Sequence, residues 1–332
     1  MSKKKNKSTT SPKTKTKSTF PWKIILMGVI IGVLVGAWGL LQPHKKRVPD
    51  HFPFGAADYC KQLPEYIKTY HLRQPLYIDL SQTRARGLAI VEASKNGKVF
   101  QLPTWDDAGA LGPYALDEHG NIYAAPVPYV SIDQFKPEDQ SKIYKVDTKS
   151  GKMEVFKELP VQHPSDASNP FNFLGLSYDC DTKSLYASTV NGSDFENERG
   201  RILQIDVHSG KILDKKEGID AIGLAVFNDK VAKYLYYGSA RTSDIYRIKL
   251  GPAGEITASE PEFVLSLSAV QGGSTDKCHR IRFFKGGVME LKGIDFNYTL
   301  HAESDVRRNI YRFKYNPNNG KWDFVSVQRQ KR

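Results

Sequence analysis

Two hydrophobic rhythms divide the chain. From Ile24 to Leu41 every residue is apolar or glycine, an unbroken run of 18. At 1.5 Å per residue a helix of that length reaches about 27 Å, close to the hydrocarbon thickness of a bilayer. Beyond residue 75 the pattern changes. Apolar and polar residues alternate in short stretches separated by Gly, Asn, Asp and Pro, which predicts half-buried strands joined by tight turns. No stretch there carries a convincing helical period.

The alternating part repeats itself. One line runs from a glycine between apolar residues to an aliphatic-Tyr pair: Leu111-Gly112-Pro113-Tyr114 to Ile122-Tyr123, Leu174-Gly175-Leu176 to Leu185-Tyr186, and Ile222-Gly223-Leu224 to Leu235-Tyr236. Arg86-Gly87-Leu88-Ala89 begins a further copy. A second line follows, Ile143-Tyr144-Lys145-Val146-Asp147 with Ser150-Gly151-Lys152, and again Ile202-Leu203-Gln204-Ile205-Asp206 with Ser209-Gly210-Lys211. Weaker versions start at Ile245 and Ile310. The four isoleucines stand 59, 43 and 65 residues apart. Each unit is thus about four strands, which cannot bury its faces alone and packs against its neighbours, as the blades of a β-propeller do. Four blades are visible, and Pro75 to Pro103 supplies part of a fifth. About 280 residues at about 40–50 per blade predict six. The expected fold is all-β: a six-bladed β-propeller over 75–328 preceded by a single N-terminal transmembrane helix. A basic tail (1–19), the anchor (20–43) and a linker and lead-in segment (44–74) come first, with a short helix expected between Ala56 and Tyr70.

The formal charge of +12 suggests nucleic acid until it is located. Eleven of the 48 basic residues lie within 1–47, which holds no acid, leaving 37 bases against 36 acids in the remainder. The propeller is near neutral and lacks a footprint for phosphates. The lysines instead flank the apolar run, mostly on its N-terminal side. They place the N-terminus in the cytoplasm and the propeller on the periplasmic or extracellular side of the cytoplasmic membrane. A cleaved signal peptide is the rival reading, but the run exceeds a signal core and its one small-x-small triplet, Ala37-Trp38-Gly39, lies inside it. The membrane is therefore one expected partner, through residues 24–41. A second chain is another, because Gly28, Gly32 and Gly36 share a helix face that permits close approach. Cys60, Cys180 and Cys278 would face an oxidising space, one disulfide and one free thiol being the simplest arithmetic. Asp179-Cys180-Asp181 reads as a surface turn rather than a metal cluster.

The strand-turn-strand Gly175-Leu176-Ser177-Tyr178-Asp179-Cys180-Asp181-Thr182-Lys183-Ser184-Leu185-Tyr186 resembles that of six-bladed propellers of the gluconolactonase-like, NHL-repeat and strictosidine-synthase-like groups. In gluconolactonase-like enzymes, this resemblance implies a divalent metal, usually calcium, on the channel axis, held by a carboxylate and amides beside the glycines of the inner strands. Here the aligned positions are Arg86, Leu111, Leu174 and Ile222. An arginine and three aliphatics offer no oxygen to a hard cation. No metal and no cofactor is therefore expected, calcium entering only if loop residues such as Asp107, Asn172 and Asp220 have replaced the lost ligands. The interblade loops and the loops between middle strands gather on one face of a propeller. There Arg86, Asp107, Asn172, Asn191, Asp220, His279 and Glu303 are the candidate ligand-binding residues. No nucleophile elbow, P-loop or dinucleotide fingerprint occurs, and adjacent strand residues Cys278 and His279 point to opposite faces. Two readings follow: a membrane-anchored propeller that binds a protein partner or small ligand at its mouth, or a metal-dependent lactone or ester hydrolase with altered ligands.

Overall fold

The turn chemistry of the second repeat line organises the strands. Asp147 Oδ1 accepts hydrogen bonds from the backbone N–H groups of Lys149 and Ser150 and from the Ser150 hydroxyl, and Gly151 follows at φ 69°. Asp206 does the same for His208 and Ser209, with Gly210 at φ 65°. In both turns burial is outweighed or exceeded by these donors, which hold the carboxyl below the ordinary aspartate range. An L side chain strains that left-handed backbone by about 1–2 kcal/mol. Gly210→Ala should therefore lower stability by about 1 kcal/mol in a urea titration. An unchanged midpoint would mean the turn is not held as described.

The computed structural model describes residues 53–81, 85–94, 96–106, 108–128, 140–160, 169–299 and 308–330. Strand β1 (Gly55–Ala56) comes first, followed by a one-turn helix α1 (Tyr66–Thr69). The first blade has β2 (Leu76–Asp79), β3 (Ala89–Glu92) and β4 (Val99–Phe100). The second has β5 (Leu111–Leu116), β6 (Ile122–Pro126), β7 (Lys142–Val146) and β8 (Met153–Glu158). The third has β9 (Phe173–Asp179), β10 (Ser184–Thr189), β11 (Arg201–Asp206) and β12 (Ile212–Glu217). The fourth has β13 (Ala221–Asn228), β14 (Lys233–Ser239), β15 (Asp244–Lys249) and β16 (Glu262–Ser266). The fifth has β17 (Lys277–Phe284), β18 (Val288–Ile294), β19 (Arg308–Asn316) and β20 (Lys321–Gln330). Each sheet is an antiparallel meander, and β1 adds to the free edge of β13.

The aliphatic-Tyr pairs explain why these sheets stack. Neighbouring residues of a strand face opposite sides. Ile122 enters the core shared by the first and second blades, whereas Tyr123 enters the core of the second and third. Leu185 and Tyr186 divide in the same way between the second–third and third–fourth cores, and Leu235 and Tyr236 between the third–fourth and fourth–fifth. All six side chains are fully buried. The dipeptide thus staples the second, third and fourth blades each to both neighbours. On the inner strands, Arg280 of β17 reaches the ring face of Tyr114 on β5 at 5.3 Å, bringing the fifth blade back towards the second.

The architecture is a β-propeller built of repeats, with five blades among the described residues; the expected sixth is corrected. Inner strands of successive blades begin at Leu111, Phe173, Ala221 and Lys277, intervals of 62, 48 and 56 residues. Long loops make two of these three units larger than the assumed length. The chain ahead of β2 is not a blade either, but a strap laid across the hairpin turns. Phe54 packs on Tyr315 of the fifth blade and Phe227 of the fourth, at 5.5 and 5.2 Å. Ala57 bonds Val226 of the fourth and Cys180 of the third, and Cys60 is joined to Cys180 by a disulfide. Gln62 and Tyr66 bond Asp117 and Thr148 of the second blade, and Arg73 bonds Glu92 of the first.

Under this strap the Asp179-Cys180-Asp181 turn is not solvated, which corrects its reading as a surface turn. Both carboxylates are buried and converge on the ammonium of Lys233, at 2.5 and 2.7 Å. The hydroxyl of Tyr59 donates to the second oxygen of Asp181 at 2.6 Å. Cys278 is free and buried. The predicted span over 24–41 and Gly28, Gly32 and Gly36 lie outside the described residues. Among the described residues no helix is long and apolar enough to cross a membrane.

Candidate functional site

The face opposite the strap carries the interblade loops and the loops between second and third strands. Asp220, in the link from β12 to β13, gathers donors from several of these loops. Its Oδ1 accepts from the Ser193 hydroxyl at 2.5 Å and the Gly200 N–H at 2.8 Å. Its Oδ2 accepts from the Tyr298 hydroxyl at 2.6 Å and Arg241 Nε at 3.1 Å. These donors come from the third, fourth and fifth blades, so one buried carboxylate ties three blades at the mouth. Position 200 must be glycine, because a Cβ there would collide with Asp220 and with the Ile219 and Thr189 carbonyls. The Asp220 N–H donates to Glu198 Oε1 at 2.8 Å.

Arg241 also gives one N–H from each terminal nitrogen to the carbonyls of Phe195 and Asp194, at 3.1 and 2.8 Å. Its guanidinium also lies 5.5 Å from the centre of the Tyr298 ring. Burial and then the Asp220 hydrogen bond push the Tyr298 hydroxyl far above the ordinary tyrosine range, so it acts as a permanent donor. The ring of Phe195 meets Tyr298 edge-on at 5.6 Å yet is 65 % exposed, an aromatic edge on the rim.

Beside this network, Asn172 Oδ1 accepts from Thr189 Oγ1 at 2.5 Å, and Thr189 Oγ1 accepts from the Asn191 N–H at 3.1 Å. Asn169 donates to the carbonyls of Val190 and Ser193, linking this chain to the Ser193–Asp220 pair. Leu174 and Ile222 lie in one apolar cluster with Val190, Ala240, Phe296 and Tyr298.

Of the candidate residues, the structure brings together Asn172, Asn191 and Asp220. Arg86 is half-exposed beside Asp106, at 4.0 Å. His279 Nδ1 sits 3.1 Å from the Lys292 carbonyl on the β17–β18 pair. Leu111 belongs to the first–second blade core, away from Leu174 and Ile222. Asp107 and Glu303 lie outside the described residues. The Cys278 thiol is buried, is pushed up to about 12 by that burial and donates to the Arg280 carbonyl at 3.3 Å, which disfavours the reactive thiolate.

Tyr298, Ser193 and Glu198 were not among the sequence candidates. Tyr298 stands 78 residues from Asp220, and no local pattern marks it as that residue's partner.

Calcium fits these residues poorly. Both oxygens of Asp220 are committed to two donors each, the Asn172 carbonyl oxygen is committed to Thr189, and the aligned ring positions carry no oxygen ligand. Among the described residues no group of three His, Cys, Asp or Glu side chains could hold a metal ion.

The class defined by this fold is the β-propeller. No protein-family profile and no curated protein matches the chain. Similar solved structures include a streptogramin B lyase, 15 % identical over 76 % of this chain and 78 % of that one, with a TM-score of 0.42. A glucose dehydrogenase is 14 % identical over 66 % and 72 %, with a TM-score of 0.36. The hydrazine synthase of Kuenenia stuttgartiensis is 12 % identical over 66 % and 49 %, with a TM-score of 0.37. The assignment of fold rests on the sheets themselves.

Proposed function

We propose that the chain is a membrane-anchored extracytoplasmic β-propeller that binds a protein partner or small ligand at its mouth. The observation that carries this reading is the Asp220 network. Ser193, Arg241 and Tyr298, from three successive blades, lock onto one buried carboxylate and so preorganise the loops around the exposed Phe195. A rim held rigid before contact loses little entropy on binding. Asp220 and Arg241 are paired with each other and held by further hydrogen bonds, which suits recognition better than proton transfer.

The anchor is the apolar run over 24–41, with its lysine-rich flank holding the N-terminus in the cytoplasm. The Cys60–Cys180 disulfide supports an oxidising space for the propeller. Gly28, Gly32 and Gly36 would pair two anchors.

Topology is tested by fusing alkaline phosphatase or a fluorescent protein to the C-terminus of the full chain. An active phosphatase with a dark fluorescent protein is expected, and the reverse pattern would sink the export claim. Binding is tested by thermal shift of the detergent-solubilised protein against small molecules and peptides. A ligand of the mouth should raise the melting temperature of the wild type and lose most of that effect in Phe195→Ala. Ligands whose shifts all survive that change would put recognition elsewhere.

A further inference from the structure

A cleft of about 270 Å³ opens beside the Asp220 network, between the third and fourth blades. Its lining includes Glu198, Tyr237, Arg241, Thr242, Tyr246 and Pro261. Tyr237 and Tyr246, opposite each other on β14 and β15, stack with ring centres 5.5 Å apart and planes 19° apart. Tyr237 is buried at 5 % exposure and backs the half-buried Tyr246 ring, which is the accessible part of this aromatic wall.

The charge of the cleft follows from which groups are already spent. Arg241 is its one lining cation among the described residues. It gives Nε to Asp220, its two terminal nitrogens to the carbonyls of Phe195 and Asp194, and a face to Tyr298. Asp220 is buried and balanced by that guanidinium. Glu198 is different. One oxygen accepts from the Asp220 N–H, whereas the other has Arg241 Nε only at 3.7 Å, and its side chain is 41 % exposed. Asp244 adds a second carboxylate at the edge, accepting from the Thr242 hydroxyl at 2.9 Å and lying 3.5 Å from the Tyr246 hydroxyl. Near Pro261, Lys216 is paired with Glu260 at 3.0 Å and contributes no net charge. An aromatic wall facing a carboxylate in excess attracts a cation twice over, through the ring quadrupoles and through direct ion pairing.

We propose that this cleft binds an organic cation, a guanidinium or alkylammonium group that lies against Tyr246, backed by Tyr237, and pairs with Glu198. The group is either a side chain of a partner protein or a free amine. The inference rests on the binding reading above and names the chemistry that the mouth recognises.

The full-length protein in detergent is titrated calorimetrically with acetyl-Gly-Arg-Gly-amide, with agmatine, and with acetyl-Gly-Gln-Gly-amide as the neutral control. The arginine peptide should bind saturably and more weakly at high salt, and the glutamine peptide should not bind. Glu198→Gln keeps an acceptor for the Asp220 N–H while removing the charge, and should weaken binding about tenfold. Tyr246→Leu should weaken it about threefold. Tighter binding of the peptide than of agmatine identifies a protein side chain as the source; the reverse order identifies a free amine. Equal binding of the glutamine peptide, or indifference to Glu198→Gln in a variant that melts like the wild type, overturns the cation assignment and leaves a binding mouth in place. Silence from all three probes also overturns it. The wider reading falls only if no ligand's thermal shift depends on Phe195.

Discussion

Lys233→Met is expected to destabilise the propeller by about 3–5 kcal/mol, lowering its melting temperature on the order of 10 °C. The ammonium of Lys233 is buried between Asp179 and Asp181, and the change leaves two carboxylates in the interior without their cation. The sign of the pH dependence gives a second readout. Burial raises the Asp181 carboxyl, but hydrogen bonds from Lys233 and Tyr59 outweigh it and hold the carboxyl below the ordinary range. A depressed folded-state value contributes stability that is present above the unfolded value, about 3.9, and is lost as pH falls through the folded value. Burial already holds the Asp179 carboxyl above its ordinary range even with Lys233 beside it, and in the variant both carboxylates, without their cation, are pushed up and gain by taking up protons. The stability gap between wild type and Lys233→Met should therefore begin to narrow above about pH 4, as the variant's carboxylates take up protons, and narrow further below it as the wild type loses the Asp181 contribution. Guanidinium titrations at neutral and acidic pH decide this. A gap under about 1 kcal/mol that does not change with pH would show that the lysine is not the partner of this turn.

The same turn marks the limit of what the sequence discloses. Local grammar was legible wherever one strand or turn determines its own shape. The alternation, the Asp-x-x-Ser-Gly-Lys hairpins and the aliphatic-Tyr pairs disclosed a ring of sheets because each encodes a conformation within a few residues. The placement of Asn172, Asn191 and Asp220 on one face was also legible, since blade topology alone sends those loops there. Contacts that close between blades were not. Lys233 lies 54 residues from Asp179, and Tyr298 lies 78 from Asp220, so a window over either aspartate shows only a polar turn. Blade number failed for a related reason. Dividing the chain by a standard unit treats every residue as blade, and residues 53–75 are instead spent as a strap across blades whose own loops are long.

That strap makes the Cys60–Cys180 disulfide the second large effect. The bond closes a segment of the chain whose ends are 120 residues apart, spanning the first two blades and the start of the third. By the chain-entropy argument, a loop of that size removes about 4–5 kcal/mol of conformational freedom from the unfolded state. Reduction, or Cys60→Ser, should lower the free energy of unfolding by about that amount. The fold should survive the change at moderate temperature. The strap keeps its other ties: the Ala57 ladder on the third and fourth blades, the Tyr59 bond to Asp181, and Tyr66 on Thr148. Thiol labelling distinguishes this pairing from any involving Cys278. The native oxidised protein should leave Cys278 unreacted because it is buried, whereas denaturation without reductant should expose one thiol, and with reductant three. Peptide mapping that joined Cys278 to either partner would overturn the assignment. An unchanged denaturation midpoint after complete reduction would mean that the strap is held by its hydrogen bonds and aromatic contacts alone. The loss of Lys233 and the loss of the disulfide act on opposite sides of one turn. Their effects should couple in the double variant, because each change frees the turn that the other interaction depends on.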